Sequence, residues 1–272
     1  MAYASIMVAM DQGPSSGHRA RLASRLADRV AARLIGVAAR MPDYFPGAAG
    51  MVIPSGFTIE DSRDAALDEL AGSERIFREA VGPRDHVEWR SDLRDPATFL
   101  EEQSRAADLV VVGRNGRSDL LDLRMSFSTG VALMSLGRPV LVVPPGIDRM
   151  SGSRIVVAWK NTLQTRRAIS DAMPLLRLAD EVQVLTISEG DDRKGIVDVA
   201  HYLSLHGVKA VAVQGAASGD SVAASIQDAA KAFGADLIVS GAYGHNRVRE
   251  WLFGGVTREL LDHSPICCLM SH

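Results

Sequence analysis

The amino-acid sequence predicts an α/β protein made of two similar domains in tandem, each a parallel sheet covered by helices. Three observations carry this. Short apolar runs rich in Val and Ile alternate with amphipathic stretches along the whole chain, the pattern of strands buried on both faces. The chain also repeats itself in order: SIMVAMD (5–11) returns as RIVVAWK (154–160), ADLVVVGRNG (107–116) as ADLIVSGAYG (235–244), and RPVLVV (138–143) as SPICCL (264–269). Between the copies lies PPGIDRMSGS (144–153), with the Pro, Gly and Ser of a linker.

In the second half RIVVAW reads as the first strand. Thr162 or Thr165 caps a helix through RRAISDAMPLLRLA, which Pro174 bends or splits. EVQVLTI is the next strand, and IVDVAHYLSLHG a helix stopped by Gly207. KAVAVQG follows as a strand, then DSVAASIQDAAKAFG as a helix capped by Ser218 or Asp220 and stopped by Gly234. ADLIVSG is the fourth strand, a helix lies within 251–263, and PICCLM closes the half. The first half runs the same course, with strands near 5–10, 34–38, 86–90, 108–112 and 139–143. It differs by a Pro- and Gly-rich insertion at 41–58 carrying Tyr44, Phe45 and Phe57, a lid over a cleft or a surface and dimer-contact loop.

Bulk properties narrow the function. The 272 residues are 47% hydrophobic and 23% charged, with net charge -3, and no basic stripe of a nucleic-acid binder is present. No apolar run approaches the ~18 residues of a membrane span. No N-terminal signal pattern is found, so the expected location is the cytoplasm with reduced thiols. Cys267 and Cys268 are adjacent; in a strand they point to opposite faces and do not bridge. His201 and His206 miss the spacing of a helical zinc pair, and the Glu189, Asp191, Asp192 run reads as a solvated loop, so no metal site is expected. No GxxxxGK[ST] occurs, which removes the P-loop chemistry.

One loop stands out. GAYGHNRVREWLFGGVT (241–257) leaves a strand through Gly241 and Gly244 and starts a helix through Gly254 and Gly255. In an open α/β sheet, ligands collect beyond the carboxyl ends of the strands. A helix start there offers bare N–H donors and a partial positive charge suited to phosphate. Thr257 can add a hydroxyl and Lys160 a cation. The spacing fits a split phosphate cradle; a tight turn followed by an ordinary helix start is the alternative. Arg114, Arg117 and Arg124 flank the first loop and Arg247 and Arg249 the second, as phosphate forks or as solvated charges.

Gly241-x2-Gly244-x9-Gly254, followed by a small residue, resembles the nucleotide motif of the universal stress protein family. The chain resembles a tandem member, with domains at 1–146 and 153–272. The resemblance implies Rossmann-like domains of the adenine nucleotide alpha hydrolase-like kind, each a five-stranded parallel sheet in order 3-2-1-4-5, paired through their fifth strands. It implies an ATP-binding stress-response role, with Mg2+ as companion ion, and leaves a homodimer open. Carried over, the cradle is Gly241, Gly244, Gly254, Gly255, Val256 and Thr257, with Ser240 beside it. The adenine pocket is Ala158, Trp159, Thr186 and Ile187.

The departures are informative. Gly255 stands where the family has Ser or Thr, and Lys160 where it has Asp. Trp159 either stacks on a base or fills the pocket. In the first half Asp11 is present and Gly113 and Gly116 survive, but matching Phe127 with Phe253 leaves Ser128 and Thr129 at the glycine positions. These residues form a weaker first-domain site. The expectation is a regulatory nucleotide binder acting mainly through the second half, with no catalytic residues assigned. A non-nucleotide interaction scaffold and a slow ATPase are the alternatives.

Overall fold

A computed structural model describes residues 2–43, 58–114, 124–187, 193–217, 221–244 and 255–272. The first half contains β1 (Ser5–Ala9), α1 (Ser16–Val30), β2 (Arg33–Ala39), α2 (Ile59–Val81), β3 (Val87–Asp92), α3 (Pro96–Ser104), β4 (Leu109–Gly113), α4 (Thr129–Ser135) and β5 (Val140–Val143). The second contains β6 (Arg154–Ala158), α5 (Leu163–Leu176), β7 (Glu181–Ile187), α6 (Arg193–Leu205), β8 (Ala210–Gly215), α7 (Val222–Phe233), β9 (Leu237–Gly241), α8 (Gly255–His263) and β10 (Cys267–Ser271).

The ten strands among the described residues join one sheet, in order β3-β2-β1-β4-β5-β10-β9-β6-β7-β8. Each half therefore has the order 3-2-1-4-5, and within each half the pairing is parallel. The halves meet where β5 and β10 run antiparallel, with Leu141 opposite Leu269 and Val142 opposite Cys268. The central strands are almost wholly apolar because helices cover both faces: α1, α2, α5 and α6 pack on one, α3, α4, α7 and α8 on the other. Cys267 belongs to the first core and Cys268 to the second, as alternation along a strand requires; both are free thiols. Burial pushes both thiols up, Cys268 to about 11.

Local chemistry sets the boundaries. Thr58 accepts from the Asp61 amide while Asp61 accepts back from Thr58, a capping box at the start of α2. Thr162 caps α5, and the helix runs on through Pro174 rather than splitting there. The cap of α7 is Ser221, whose hydroxyl accepts from the Ala224 amide at 3.0 Å; Ser218 and Asp220 lie outside the described residues. Gly234, in the left-handed conformation (φ 71°), ends α7.

The repeated Ala-Asp-Leu has a structural explanation. Asp108 accepts from the amides of Ala4 and Ser5 at 2.8 and 3.1 Å, and Asp236 accepts from those of Ser151 and Gly152. In each half this carboxylate ties the lead-in of the first strand to the base of the fourth.

One sequence match shifts. Aligning Pro139 with Pro265 pairs Val140 with Ile266. In the ladders Val110 lies beside Met7 and Val140, and its counterpart Ile238 lies beside Val156 and Cys268. Val140 therefore corresponds to Cys268. The two prolines occupy different places in their helix-to-strand connections: Pro139 directly precedes its strand, whereas Ile266 separates Pro265 from Cys267.

Candidate functional site

The carboxyl ends of β6 and β9 are adjacent, Ala158 pairing with Ser240. Two helices begin at this edge, α5 at Leu163 and α8 at Gly255. Both direct unpaired N–H groups and partial positive charge toward the mouth of the sheet.

The turn after β9 is packed against α5. A Cβ on Gly241 would lie 2.4 Å from the Thr165 amide nitrogen and 2.7 Å from the Gln164 carbonyl carbon. Close passage of strand end and helix start accounts for the missing side chain at Gly241. Gly244 is looser: a Cβ there would meet the Thr162 and Gln164 side chains at 3.2–3.3 Å. Gly255 differs from both, because a Cβ would meet nothing within 4 Å. Among the described residues, nothing lies in front of the first residue of α8.

Thr257, in the first turn of α8, is buried, and its hydroxyl accepts from the Tyr243 amide at 3.4 Å. Ser240 is buried and donates to the Gly241 carbonyl at 3.0 Å. Gly254 and the intervening flap lie outside the described residues.

The predicted base pocket is split across the sheet. Ala158, Ile187 and Val256 belong to the core under α7 and α8, and Thr186 is buried at the end of β7. Trp159 packs instead with the α5 and α6 core, its indole nitrogen 3.6 Å from the Cβ position of Gly195. Consecutive residues at a strand end face opposite ways, so Trp159 and Ala158 lie on opposite sides of the sheet. Lys160 is exposed, and its carbonyl accepts from the Thr162 amide at 2.7 Å.

The same edge of the first half is occupied by the chain itself. Arg19, 5% exposed, donates from Nε to the Ala9 carbonyl and from Nη2 to Asp11, each at 2.7 Å. Its Nη1 lies 2.5 Å from the Cβ position of Gly113. The predicted ligand residue Asp11 is thus committed to an internal ion pair over the glycine turn. Met125 and Phe127 line the space beside Ala9, Val37 and Ala39, leaving a cavity of about 10 Å³, no more than one water molecule.

Ser128 and Thr129 are also committed: Ser128 caps α4 by accepting from the Val131 amide, and Thr129 donates to the Gly113 carbonyl at 3.3 Å. The Thr129 hydroxyl thus meets the turn after β4 as that of Thr257 meets the turn after β9. With Val140 corresponding to Cys268, this pairing places Ser126 and Phe127, not Ser128 and Thr129, opposite Gly254 and Gly255. Gly116 lies outside the described residues.

Sequence reasoning missed four contributors. Arg19 sits inside an ordinary amphipathic helix and carries no motif. Thr162 and Gln164 were legible as a helix start but not as neighbours of Gly244. Tyr243 adopts a left-handed backbone (φ 56°), which no residue type but glycine signals reliably.

The sequence profile described as "Universal stress protein family" matches residues 2–144 and 162–272. No curated protein sequence matches. A universal stress protein from Archaeoglobus fulgidus DSM 4304 superposes with a TM-score of 0.71 at 14% identity, covering 97% of both chains. A putative universal stress protein from Pseudomonas aeruginosa UCBPP-PA14 gives 0.56 at 18% identity, covering 98% of this chain and 92% of that one. A functionally unknown protein from Pseudomonas aeruginosa PAO1 gives 0.55 at 16% identity with the same coverage. At such identities the likeness concerns the fold.

Proposed function

This chain belongs to the universal stress protein family, and from that premise we propose that its second half binds an adenine nucleotide, ATP with Mg2+ or a close relative, as a regulatory ligand. The observation that carries the reading is the contrast between the two sheet mouths. In the second half two helix N-termini begin beside glycines, and among the described residues nothing lies within 4 Å of a side chain added at Gly255. In the first half Arg19 lies over Gly113 and pairs with Asp11, and Met125 and Phe127 line a space of only about 10 Å³. The phosphates lie against the amides of Gly255, Val256 and Thr257, where the α8 dipole favours negative charge. The base lies toward Ala158 and Ile187. Lys160 supplies a cation at the end of β6. The ligand shifts conformation or partner binding rather than being turned over rapidly.

The test is a calorimetric titration with ATP and Mg2+, paired with thermal unfolding. A ligand that binds the folded chain stabilises it by RT ln(1 + [L]/Kd), about 2.7 kcal/mol at a hundredfold excess over Kd. Gly255→Val puts a side chain into the ligand's space while touching none of the described residues. Its unfolding temperature stays at the wild-type value and its ATP response disappears. A wild type silent to millimolar ATP rejects the nucleotide reading and leaves an interaction scaffold.

A further inference from the structure

Part of what shapes the second-half cradle comes from the first half of the chain. Tyr243 sits between Gly241 and Gly244 with φ 56°, a conformation disfavoured for a bulky aromatic residue. Such a residue persists only where its surroundings hold it. Three contacts do so. Its amide donates to the Thr257 hydroxyl in the first turn of α8. Its ring meets that of His272 edge-on, centroids 6.2 Å apart, and His272 Nδ1 lies 3.2 Å from the Ala242 carbonyl oxygen. Its hydroxyl reaches across to the other half, where a Cβ on Gly130 would lie only 2.6 Å away. Gly130 lies in the first turn of α4, next to Thr129, which anchors that helix to the Gly113 carbonyl. Half-buried and near Asp262, the phenol is held protonated, its ionisation pushed above the ordinary range by burial first and by that carboxylate second.

We infer that Tyr243 is a positioning residue: its hydroxyl, seated in the notch at Gly130, fixes the Gly241–Gly244 turn and the Thr257 hydroxyl, so that α4 of the first half sets the ligand affinity of the second. The inference rests on the nucleotide reading above and adds an interdomain coupling to it. A filled notch at Gly130 pushes the phenol outward, and the strained turn relaxes with it. Coupling is reciprocal, so a ligand that holds the turn also holds α4. The sequence context supports a specific role for the glycine. Gly130 is a helical residue with no positive φ among its neighbours in α4, so alanine there is otherwise favourable.

The experiment is an ATP·Mg2+ titration of the full chain carrying Gly130→Ala, a first-half substitution that leaves every proposed ligand contact in place. Binding weakens about tenfold, within the ordinary span of allosteric couplings, while the unfolding temperature does not fall. The double variant Gly130→Ala/Tyr243→Phe, which removes the displaced hydroxyl, recovers wild-type affinity. In the wild type, ATP slows amide hydrogen exchange in 129–135; in Gly130→Ala it does not. Wild-type binding with unchanged affinity in Gly130→Ala, or a double variant as weak as the single one, overturns the coupling and leaves the nucleotide reading standing. A wild type that binds no ATP overturns both.

Discussion

The three described glycines of the second-half loop make a graded series. Each is replaced by alanine, and the quantity read is the change in unfolding free energy. At Gly241 the added methyl would stand 2.4 Å from one backbone atom of α5 and 2.7 Å from another. No rotamer change relieves a clash with backbone, so β9 and the start of α5 must separate by about 1 Å, which disturbs the Ile169 and Val239 packing between them. Overpacking of this kind costs about 1–3 kcal/mol, and a backbone obstacle places Gly241→Ala near 3. At Gly244 the obstacles are the Thr162 and Gln164 side chains at 3.2–3.3 Å on an exposed turn; they yield, and the cost stays below about 1 kcal/mol. At Gly255 the methyl meets none of the described residues, and replacing glycine at a helix start gains about 0.5 kcal/mol through the unfolded chain. Urea denaturation followed by circular dichroism, with slopes checked for constancy, measures all three. The order Gly241, Gly244, Gly255 from most to least destabilising is required. Equal losses, or a Gly241→Ala as stable as wild type, would show that the packing argument is wrong.

Two further outcomes follow from buried ionisable groups. Tyr3 donates its hydroxyl to the Asp171 carbonyl at 2.6 Å across the two halves, and its ionisation is pushed far up, first by burial and then by the charges of Asp171 and Asp108. Below about pH 10 it is protonated in both states; above that the unfolded chain releases the proton and the fold does not, so stability falls with rising pH by about 1.4 kcal/mol per unit from this residue. Tyr3→Phe removes that part of the alkaline slope in urea titrations at pH 9–11 and costs about 1 kcal/mol at neutral pH through the lost hydrogen bond. Cys267 and Cys268 lie in separate cores with raised thiol ionisation, so a thiol reagent at pH 8 labels neither in the native chain and both in 8 M urea; rapid native labelling would contradict the buried β10.

Much of the fold was legible in the sequence because periodicity records burial directly. RIVVA and LIVSG are almost wholly apolar because helices cover both faces of the sheet, and the second copy of each run marked the duplication. Gly207 and Gly234 marked helix ends because the left-handed backbone found there suits glycine. The closing strand was misaligned because proline before a strand is a local signal, whereas register belongs to the hydrogen-bonded partner. The site was legible only in part. Trp159 carried the right chemistry for a base, but which face a strand-end residue takes depends on the last paired residue, and here that put it with α6. Asp11 matched the family pattern, yet Arg19, eight residues on and one helical turn inside α1, had already claimed it.

By itself the sequence determined the α/β class, the duplication, the family and the edge of the sheet where a ligand would lie, because each follows from patterns carried by neighbouring residues. Tertiary structure alone decided that Arg19 claims Asp11 over Gly113 at the first mouth, what Gly241 is for, and that a tyrosine of one half rests on a glycine of the other. Those outcomes depend on distances between residues far apart in the chain, and neither composition nor spacing encodes a distance of that kind.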